Sequence, residues 1–222
     1  MKTIVLDTDG VLLNFKEGFL KAATEVLKKE IIQKKDEHQL DYYDLATKLG
    51  TTEKKVYEIL DYMQTSRMYA NLKPLPMVKE ALQKIKENNY FIHVVTAIPS
   101  NIEQMRMDNF QNYLDFVPDA ITCVGMGESK KEAIERIQPD IYVEDRIDYL
   151  ASTPFVHHLV WIDQKESQTD KDSLVDVHVS SLFEWTEKYM PKVTEDLNKF
   201  YNENMPLQIS MKLENFSRKY KT

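Results

Sequence analysis

Five short apolar runs punctuate the sequence, and longer stretches of helical character separate them. The runs occupy residues 4–6, 90–95, 120–124, 141–143 and 159–162. Because they are continuous rather than alternating, they are typical of strands that are buried on both faces of a parallel sheet. The alternation of such strands with helices predicts a doubly wound, Rossmann-like α/β fold, in which ligands bind at the carboxyl ends of the strands.

Helix start signals accompany this pattern. Three serine–glutamate pairs have the spacing of a capping box: Ser100 and Glu103, Ser129 and Glu132, and Ser181 and Glu184. In such a box the serine hydroxyl accepts a hydrogen bond from the N–H of the glutamate, and the glutamate carboxylate accepts one from the N–H of the serine. We therefore expect a helix to begin at each pair.

The interval between the first two apolar runs is far longer than one crossover helix requires. Apolar residues recur there at helical spacing from Phe15 onward. Further helices are expected at about residues 42–49 and 53–68, and Thr51 or Thr52 is the expected cap of the second.

This interval predicts a small all-helical cap, or lid, over residues 14–75. The proline-containing segment 73–76 would end it as a hinge or a return strand. The α/β core would then comprise residues 1–13 and 76–190, with a helical extension or tail over residues 191–222. The alternative is that the helices form a larger layer on a single domain.

Composition excludes several classes of protein. A hydrophobic content of 42% is that of a folded globular chain, and a net charge of −7 argues against binding to nucleic-acid polymers or anionic membranes. One cysteine, Cys123, cannot form an internal disulfide or a cysteine-cluster zinc site. No apolar stretch approaches the length of a membrane span, and Asp7 and Asp9 interrupt the region where a signal peptide would be apolar. We expect a cytoplasmic protein.

The first apolar run ends in two acids, Asp7 and Asp9, and then Gly10. In an extended chain, residues two apart point the same way, so both carboxylates would face one spot. Carboxylates that converge in this way repel each other unless a cation binds between them. The pattern therefore predicts a site for a divalent metal, whereas a solvated turn is the ordinary alternative.

Groups that suit phosphate chemistry follow the other predicted strands. Thr96 ends the second run, Lys130 and Lys131 open a helix after the third, and Glu144 and Asp145 end the fourth. Carboxylates from two strand ends can hold Mg²⁺, and a hydroxyl and an ammonium can bind the remaining phosphate oxygens. A lysine at a helix N-terminus opposes the helix dipole, which indicates a nearby anion.

In their order along the chain, these residues resemble the motifs of the haloacid dehalogenase (HAD) superfamily of phosphohydrolases. The stretch 7–11 resembles the first motif, Thr96 the second, Lys130 the third, and Glu144 with Asp145 the fourth. The resemblance extends over residues 2–163, and a helical insert after the first motif is what the family calls a C1 cap. The stretches 71–76 and 143–146 further resemble the 5′(3′)-deoxyribonucleotidase branch.

The resemblance implies a Mg²⁺-dependent phosphatase that acts through an aspartyl-phosphate. Asp7 would be the nucleophile and Asp9 the general acid and base. The resemblance also assigns two sets of ligands. The metal ligands would be Asp7, the Asp9 backbone carbonyl and Asp145, with Glu144 as a further candidate, and phosphate would be bound by Thr96 and Lys130, with Lys131 as the alternative.

The expected partner is a small phosphorylated metabolite, and the resemblance suggests a nucleoside monophosphate. Five tyrosines of the insert are candidates to stack on a base, although helix packing is their ordinary role: Tyr42, Tyr43, Tyr57, Tyr62 and Tyr69. The alternatives are a sugar-phosphate phosphatase or phosphomutase of the same superfamily, and a non-enzymatic ligand-binding module. The oligomeric state stays open.

Overall fold

The computed structural model describes residues 2–31, 45–125, 128–164 and 174–190. The expected extension over residues 191–222, and Tyr42 and Tyr43 of the insert, lie outside the described residues. In the described part of the chain, no helix is long and apolar enough to cross a membrane.

A six-stranded, fully parallel sheet forms the centre of the protein. Its strands are β1 (Thr3–Leu6), β2 (Phe91–Thr96), β3 (Ala120–Cys123), β4 (Ile141–Glu144), β5 (His158–Ile162) and β6 (Val177–Val179). They lie in the order β3-β2-β1-β4-β5-β6, which confirms the predicted Rossmann-like α/β fold. Strand order reverses between β1 and β4, and a sheet of this kind has its ligand crevice at that point.

The first five strands coincide with the five apolar runs, because both faces of the sheet are covered. In β1, Ile4 and Leu6 belong to the core on one face, whereas Val5 packs on the other face with Ile134 and Leu150. Sequence reasoning missed β6, a three-residue edge strand whose central residue is a histidine. A strand this short has too few apolar positions to show a pattern.

The described part of the chain contains eight α-helices. They are α1 (Phe15–Leu27), α2 (Leu45–Lys48), α3 (Glu53–Thr65), α4 (Val78–Glu87), α5 (Glu103–Asn109), α6 (Lys131–Ile137), α7 (Ile147–Ala151) and α8 (Leu182–Lys188). Thr52 caps α3, as one of the two expected threonines, and the Ser181 hydroxyl accepts a hydrogen bond from Glu184 N at 3.1 Å. The capping-box prediction was wrong at Ser100, which opens a 3₁₀ turn without a side-chain cap. It was also wrong at Ser129, because α6 begins at Lys131 and the residue at its N-cap position is Lys130, without a side-chain cap.

Helices α1 to α3 and a 3₁₀ turn at Met68–Asn71 occupy the interval between β1 and α4. Gly18 of α1 lets the helix approach Leu72, because a Cβ at position 18 would lie 2.2 Å from the Leu72 Cδ2 atom. The chain enters and leaves this helical region side by side, with an antiparallel bridge between Leu13 and Pro74. The helical region is thereby anchored beside the carboxyl end of β1.

Candidate active site

Four chain segments converge at the carboxyl edge of the sheet, around the end of β1. Asp7 continues the ladder, since its N–H donates to the Val143 carbonyl oxygen at 3.0 Å. The chain then turns at Gly10, whose φ of +86° is a conformation that other residues rarely adopt. Because β2 and β4 flank β1, this turn brings Asp7 and Asp9 next to the ends of both neighbours.

Lys130 joins two of these strand ends. Its Nζ lies 2.5 Å from Asp7 Oδ1 and 2.7 Å from Glu144 Oε2, and all three side chains are buried. Lys131 instead extends away from the site, where its exposed side chain lies 3.7 Å from Glu135. The structure therefore brings Lys130, and not its neighbour, into contact with the acidic cluster.

Glu144 is fully engaged by hydrogen bonds. Its Oε2 accepts from Lys130 and from the Tyr142 hydroxyl, each at 2.7 Å. Its Oε1 accepts from the N–H groups of Asp145 and Arg146, each at 3.2 Å. A carboxylate offers about four acceptor positions, so this set occupies them all. Glu144 is thus placed to orient Lys130 rather than to bind a further cation.

Asp7, Glu144 and Asp145 present carboxylate oxygens that lie within 4.8 Å of one another. Burial raises the pKa of Asp7 and of Asp145 well above the ordinary range, and the negative charge of Glu144 adds to both shifts. Burial also acts on Glu144, but Lys130 and the hydrogen bonds outweigh it and lower the pKa of that carboxyl. One ammonium thus faces three carboxylates, and a further cation would stabilise Asp7 and Asp145 in their charged forms.

The donor set fits Mg²⁺, which prefers oxygen ligands in a near-octahedral arrangement. Asp145 fits closely against the turn at Gly10, because a Cβ at position 10 would lie 2.0 Å from Asp145 Oδ2. The Trp161 indole N–H donates to the Asp145 backbone carbonyl at 3.0 Å, which fixes the main chain on the other side. Asp7 and Asp145 are therefore positioned to supply two oxygen ligands to a metal ion.

Thr96 lies at the end of β2 with its side chain fully buried. Its Oγ1 has no hydrogen-bond partner among the residues that the structure describes. A buried hydroxyl that lacks a partner is costly, so a ligand or water oxygen is its natural partner. Thr96 can therefore serve as a donor at this edge of the sheet.

Arg106 is a site residue that sequence reasoning missed. It belongs to α5, is fully buried, and makes an ion pair with Asp9 through its Nη2. Burial raises the pKa of Asp9, and the Arg106 charge opposes that shift. One signal was present in the sequence: Arg106 shares a helical face with Ile102 and Phe110, four residues away on either side, and both of these are buried.

The three insert tyrosines in the described part of the chain lie in different environments. Tyr69 is buried, its ring centroid lies 6.2 Å from that of Phe15, and the charge of Asp9 contributes to the raised pKa of its hydroxyl, after burial. Tyr57 is 68% exposed, and Tyr62 packs against the apolar core. Of these three, Tyr69 alone lies near the acidic site.

Acids, a lysine and a threonine thus meet at the switch point of a Rossmann-like parallel sheet. A family model described as haloacid dehalogenase-like hydrolase matches residues 4–145, which is more than half of the chain. The chain therefore belongs to the haloacid dehalogenase-like hydrolases. No curated protein sequence matches it significantly.

Solved structures share the fold at low sequence identity. A predicted phosphatase from Clostridium acetobutylicum is 19% identical, with a TM-score of 0.59 over 84% of this chain and 97% of its own. A dehalogenase is 18% identical, with a TM-score of 0.56 over 86% and 98%. CbbY from Rhodobacter sphaeroides, in complex with phosphate, is 15% identical, with a TM-score of 0.56 over 83% and 96%. These neighbours do not single out the 5′(3′)-deoxyribonucleotidase branch, which stays a prediction.

Proposed function

We propose that this protein is a Mg²⁺-dependent phosphatase that hydrolyses a small phosphomonoester through an aspartyl-phosphate on Asp7. The observation that carries the proposal is the second carboxylate, Asp9, which an ion pair holds beside the first. An alcohol leaving group needs a proton, whereas a departing halide does not. A positioned Asp9 therefore favours phosphate-ester chemistry over the dehalogenation that other members of the family perform.

The metal would be held by Asp7, Asp145 and the backbone carbonyl of Asp9. When bound, Mg²⁺ would neutralise the phosphoryl oxygens and thereby lower the repulsion that an attacking carboxylate meets. Glu144 takes no part in this coordination, since its four acceptor positions are occupied.

The reaction divides into two displacements at phosphorus. In the first, an Asp7 oxygen forms a bond to phosphorus, the ester P–O bond breaks, and the leaving oxygen takes a proton from Asp9. In the second, Asp9 accepts a proton from water, the water oxygen attacks phosphorus, and the bond to Asp7 breaks. Phosphate is released and Asp9 is protonated again, ready for the next turnover.

Two further residues would bind the transferring phosphoryl group. Lys130 contacts Asp7, so its ammonium lies where negative charge would gather during the attack. Asp7 and Glu144 raise the pKa of Lys130 against the effect of burial, which keeps it charged. Thr96 supplies a hydroxyl that has no other partner among the described residues. Such pre-oriented donors stabilise the transition state without reorganisation.

We further propose a nucleoside monophosphate as the substrate. The support for this substrate is the resemblance of the stretches 71–76 and 143–146 to the 5′(3′)-deoxyribonucleotidase branch. The Tyr69 and Phe15 rings are buried against each other in the core, so they stabilise the region beside Asp9 rather than stack on a base.

The first test is phosphate release from a panel of monophosphates, with and without Mg²⁺. Wild-type protein should release phosphate only with Mg²⁺, and Asp7→Asn should abolish turnover because the amide cannot form the acyl phosphate. The exposed Asp115→Asn is the matched control and should behave as wild type. Unchanged turnover in Asp7→Asn would end the proposal.

The second test compares deoxynucleoside monophosphates with sugar phosphates. A preference for the sugar phosphates would refute the nucleotidase assignment and leave the phosphatase standing. Transfer of phosphate back to the substrate, without release of free phosphate, would identify a phosphomutase. Ligand binding without any turnover would identify a binding module.

A further inference from the structure

We infer that Arg106 is a positioning residue, which clamps one oxygen of Asp9 so that the other oxygen exchanges protons with the substrate. This inference rests on the phosphatase function proposed above and extends it to a residue outside the four sequence motifs. Three observations support it: the burial of the ion pair, the contacts that fix Arg106, and the state of the second Asp9 oxygen.

The ion pair between Arg106 and Asp9 is shielded from solvent on the arginine side. The Arg106 side chain is 0% exposed, and that of Asp9 is 22% exposed. Removing a guanidinium from water is costly unless its partner is well placed, so a buried arginine constrains the geometry of the carboxylate it pairs with. A single contact, from Arg106 Nη2 to Asp9 Oδ2, therefore restrains the carboxylate, while Nε and Nη1 of Arg106 have no hydrogen-bond partner among the described residues.

Arg106 itself is fixed by the helical region that follows β1. The Tyr69 ring centroid lies 5.1 Å from the guanidinium carbon, which is within the range of a cation–π contact. Three residues further along α5, Asn109 Nδ2 donates to the backbone carbonyls of Tyr69 at 3.2 Å and of Leu72 at 2.9 Å. These contacts tie α5 to the Met68–Asn71 turn and thereby set the position of Arg106.

The two oxygens of Asp9 differ in their surroundings. Oδ2 is bonded to Arg106, whereas Oδ1 is shielded from solvent and has no hydrogen-bond partner in the described part of the chain. Oδ1 is thus the atom that would give a proton to the leaving oxygen and later take one from water. Without the clamp the carboxylate can rotate about its side-chain bonds, and both proton transfers become slower.

Leaving groups of different basicity distinguish this role from a general structural one. An alkyl phosphate needs protonation of its leaving oxygen, whereas the nitrophenolate of 4-nitrophenyl phosphate leaves without it. General acid–base catalysis contributes about 10²–10⁴ in rate. Loss of the clamp should therefore slow phosphoryl transfer from the alkyl ester and spare transfer from the aryl ester.

The experiment measures kcat/KM for an alkyl and an aryl phosphate in wild type, Arg106→Met, Arg106→Lys and a control. For Arg106→Met we expect a fall of about 100-fold with the alkyl ester and of less than about fivefold with the aryl ester. Arg106→Lys keeps the charge without the planar fork and should recover part of the alkyl activity. Asp108→Asn is the matched control on α5, because it removes only the surface ion pair with Arg67.

A second readout follows from the role of Asp9 in the hydrolysis step. With the aryl ester, Arg106→Met should form the aspartyl-phosphate at a near-normal rate and hydrolyse it slowly. A burst of about one nitrophenolate per active site should therefore precede the steady state, which a folding defect alone would not produce.

Each outcome bears on one proposal or the other. Equal losses for both esters in Arg106→Met and Arg106→Lys, without a burst, would overturn the positioning role, as would wild-type activity in Arg106→Met. Wild-type protein that releases phosphate from neither ester and from no monophosphate of the panel would refute the phosphatase instead. Circular dichroism and urea unfolding of each variant separate both results from misfolding, and Arg106→Lys carries the test if Arg106→Met does not fold.

Discussion

The contact between Gly10 and Asp145 allows the proposed metal site to be tested without changing any proposed ligand. In Gly10→Ala the new Cβ would lie 2.0 Å from Asp145 Oδ2, whereas such contacts do not fall below 3.0 Å. The carboxylate must therefore move by about 1 Å, unless the main chain moves instead. Because Mg²⁺ requires ligand distances of about 2.0–2.1 Å and near-ideal geometry, a displacement of this size removes the ligand.

Two effects should be measurable in Gly10→Ala. The first is a loss of stability of about 1–2 kcal/mol, because alanine is strained at a φ of +86°. The second is a loss of Mg²⁺ affinity of at least about tenfold, the lower end of the effect of disturbing a metal-ligand environment. Urea unfolding measures the first and isothermal titration with Mg²⁺ alone measures the second.

Gly50→Ala provides the matched control. Gly50 has a φ of +57°, and a Cβ there would meet no atom within 4 Å. This variant should therefore show the loss of stability without the loss of Mg²⁺ affinity. If Gly10→Ala binds Mg²⁺ as tightly as wild type, or if Gly50→Ala loses affinity to the same degree, then Asp145 is not the ligand that the turn at Gly10 holds in place.

Two further predictions concern charge. Lys130→Met leaves two buried carboxylates without their cation and should lower the free energy of unfolding by about 3–5 kcal/mol, part of which Mg²⁺ should restore. Urea unfolding with and without Mg²⁺ measures this change, and a loss below about 1 kcal/mol would contradict the prediction. The Lys188 ammonium, with the hydroxyl and N–H of Ser180, lowers the pKa of Glu184 to about 2. Charged Glu184 therefore stabilises the fold above pH 4.5, its ordinary pKa, and loses this effect as the pH falls towards 2. Glu184→Gln should cost about 1 kcal/mol at pH 7, a difference that shrinks below pH 4.5 and that would be refuted by a pH-independent offset.

The local sequence pattern was sufficient to predict most strands of the sheet, because an unbroken run of apolar residues indicates a strand that is buried on both faces. Strands β1 to β5 lie at the apolar runs, since a chain segment covered on both faces must be apolar along its length. The edge strand β6 carries His178 between two valines and gives no such signal. Ser100 has the spacing of a capping box, yet a 3₁₀ turn forms there, because spacing alone does not specify the backbone angles of the cap.

For the side chains of the candidate site too, the sequence predicted some features and left others undecided. A lysine pair at a helix start left two candidates, and only the packing of α6 on the sheet directs Lys130 towards Asp7 and Lys131 towards solvent. The sequence likewise left open whether Glu144 binds the metal. That depends on whether its carboxylate oxygens already accept hydrogen bonds, and in the structure they accept from Lys130 and Tyr142. Neither outcome is encoded in the spacing of the residues.

The sequence by itself determined the fold class and the placement of Asp7, Asp9, Thr96, Glu144 and Asp145 at strand ends, which in a parallel sheet share one edge. Only the tertiary structure decided that Arg106 pairs with Asp9, a residue 97 positions earlier. That pairing depends on how α5 packs against the Met68–Asn71 turn, which places the buried Arg106 beside Asp9. Periodicity reports the environment of a segment, whereas contact between distant side chains depends on how segments are arranged in space.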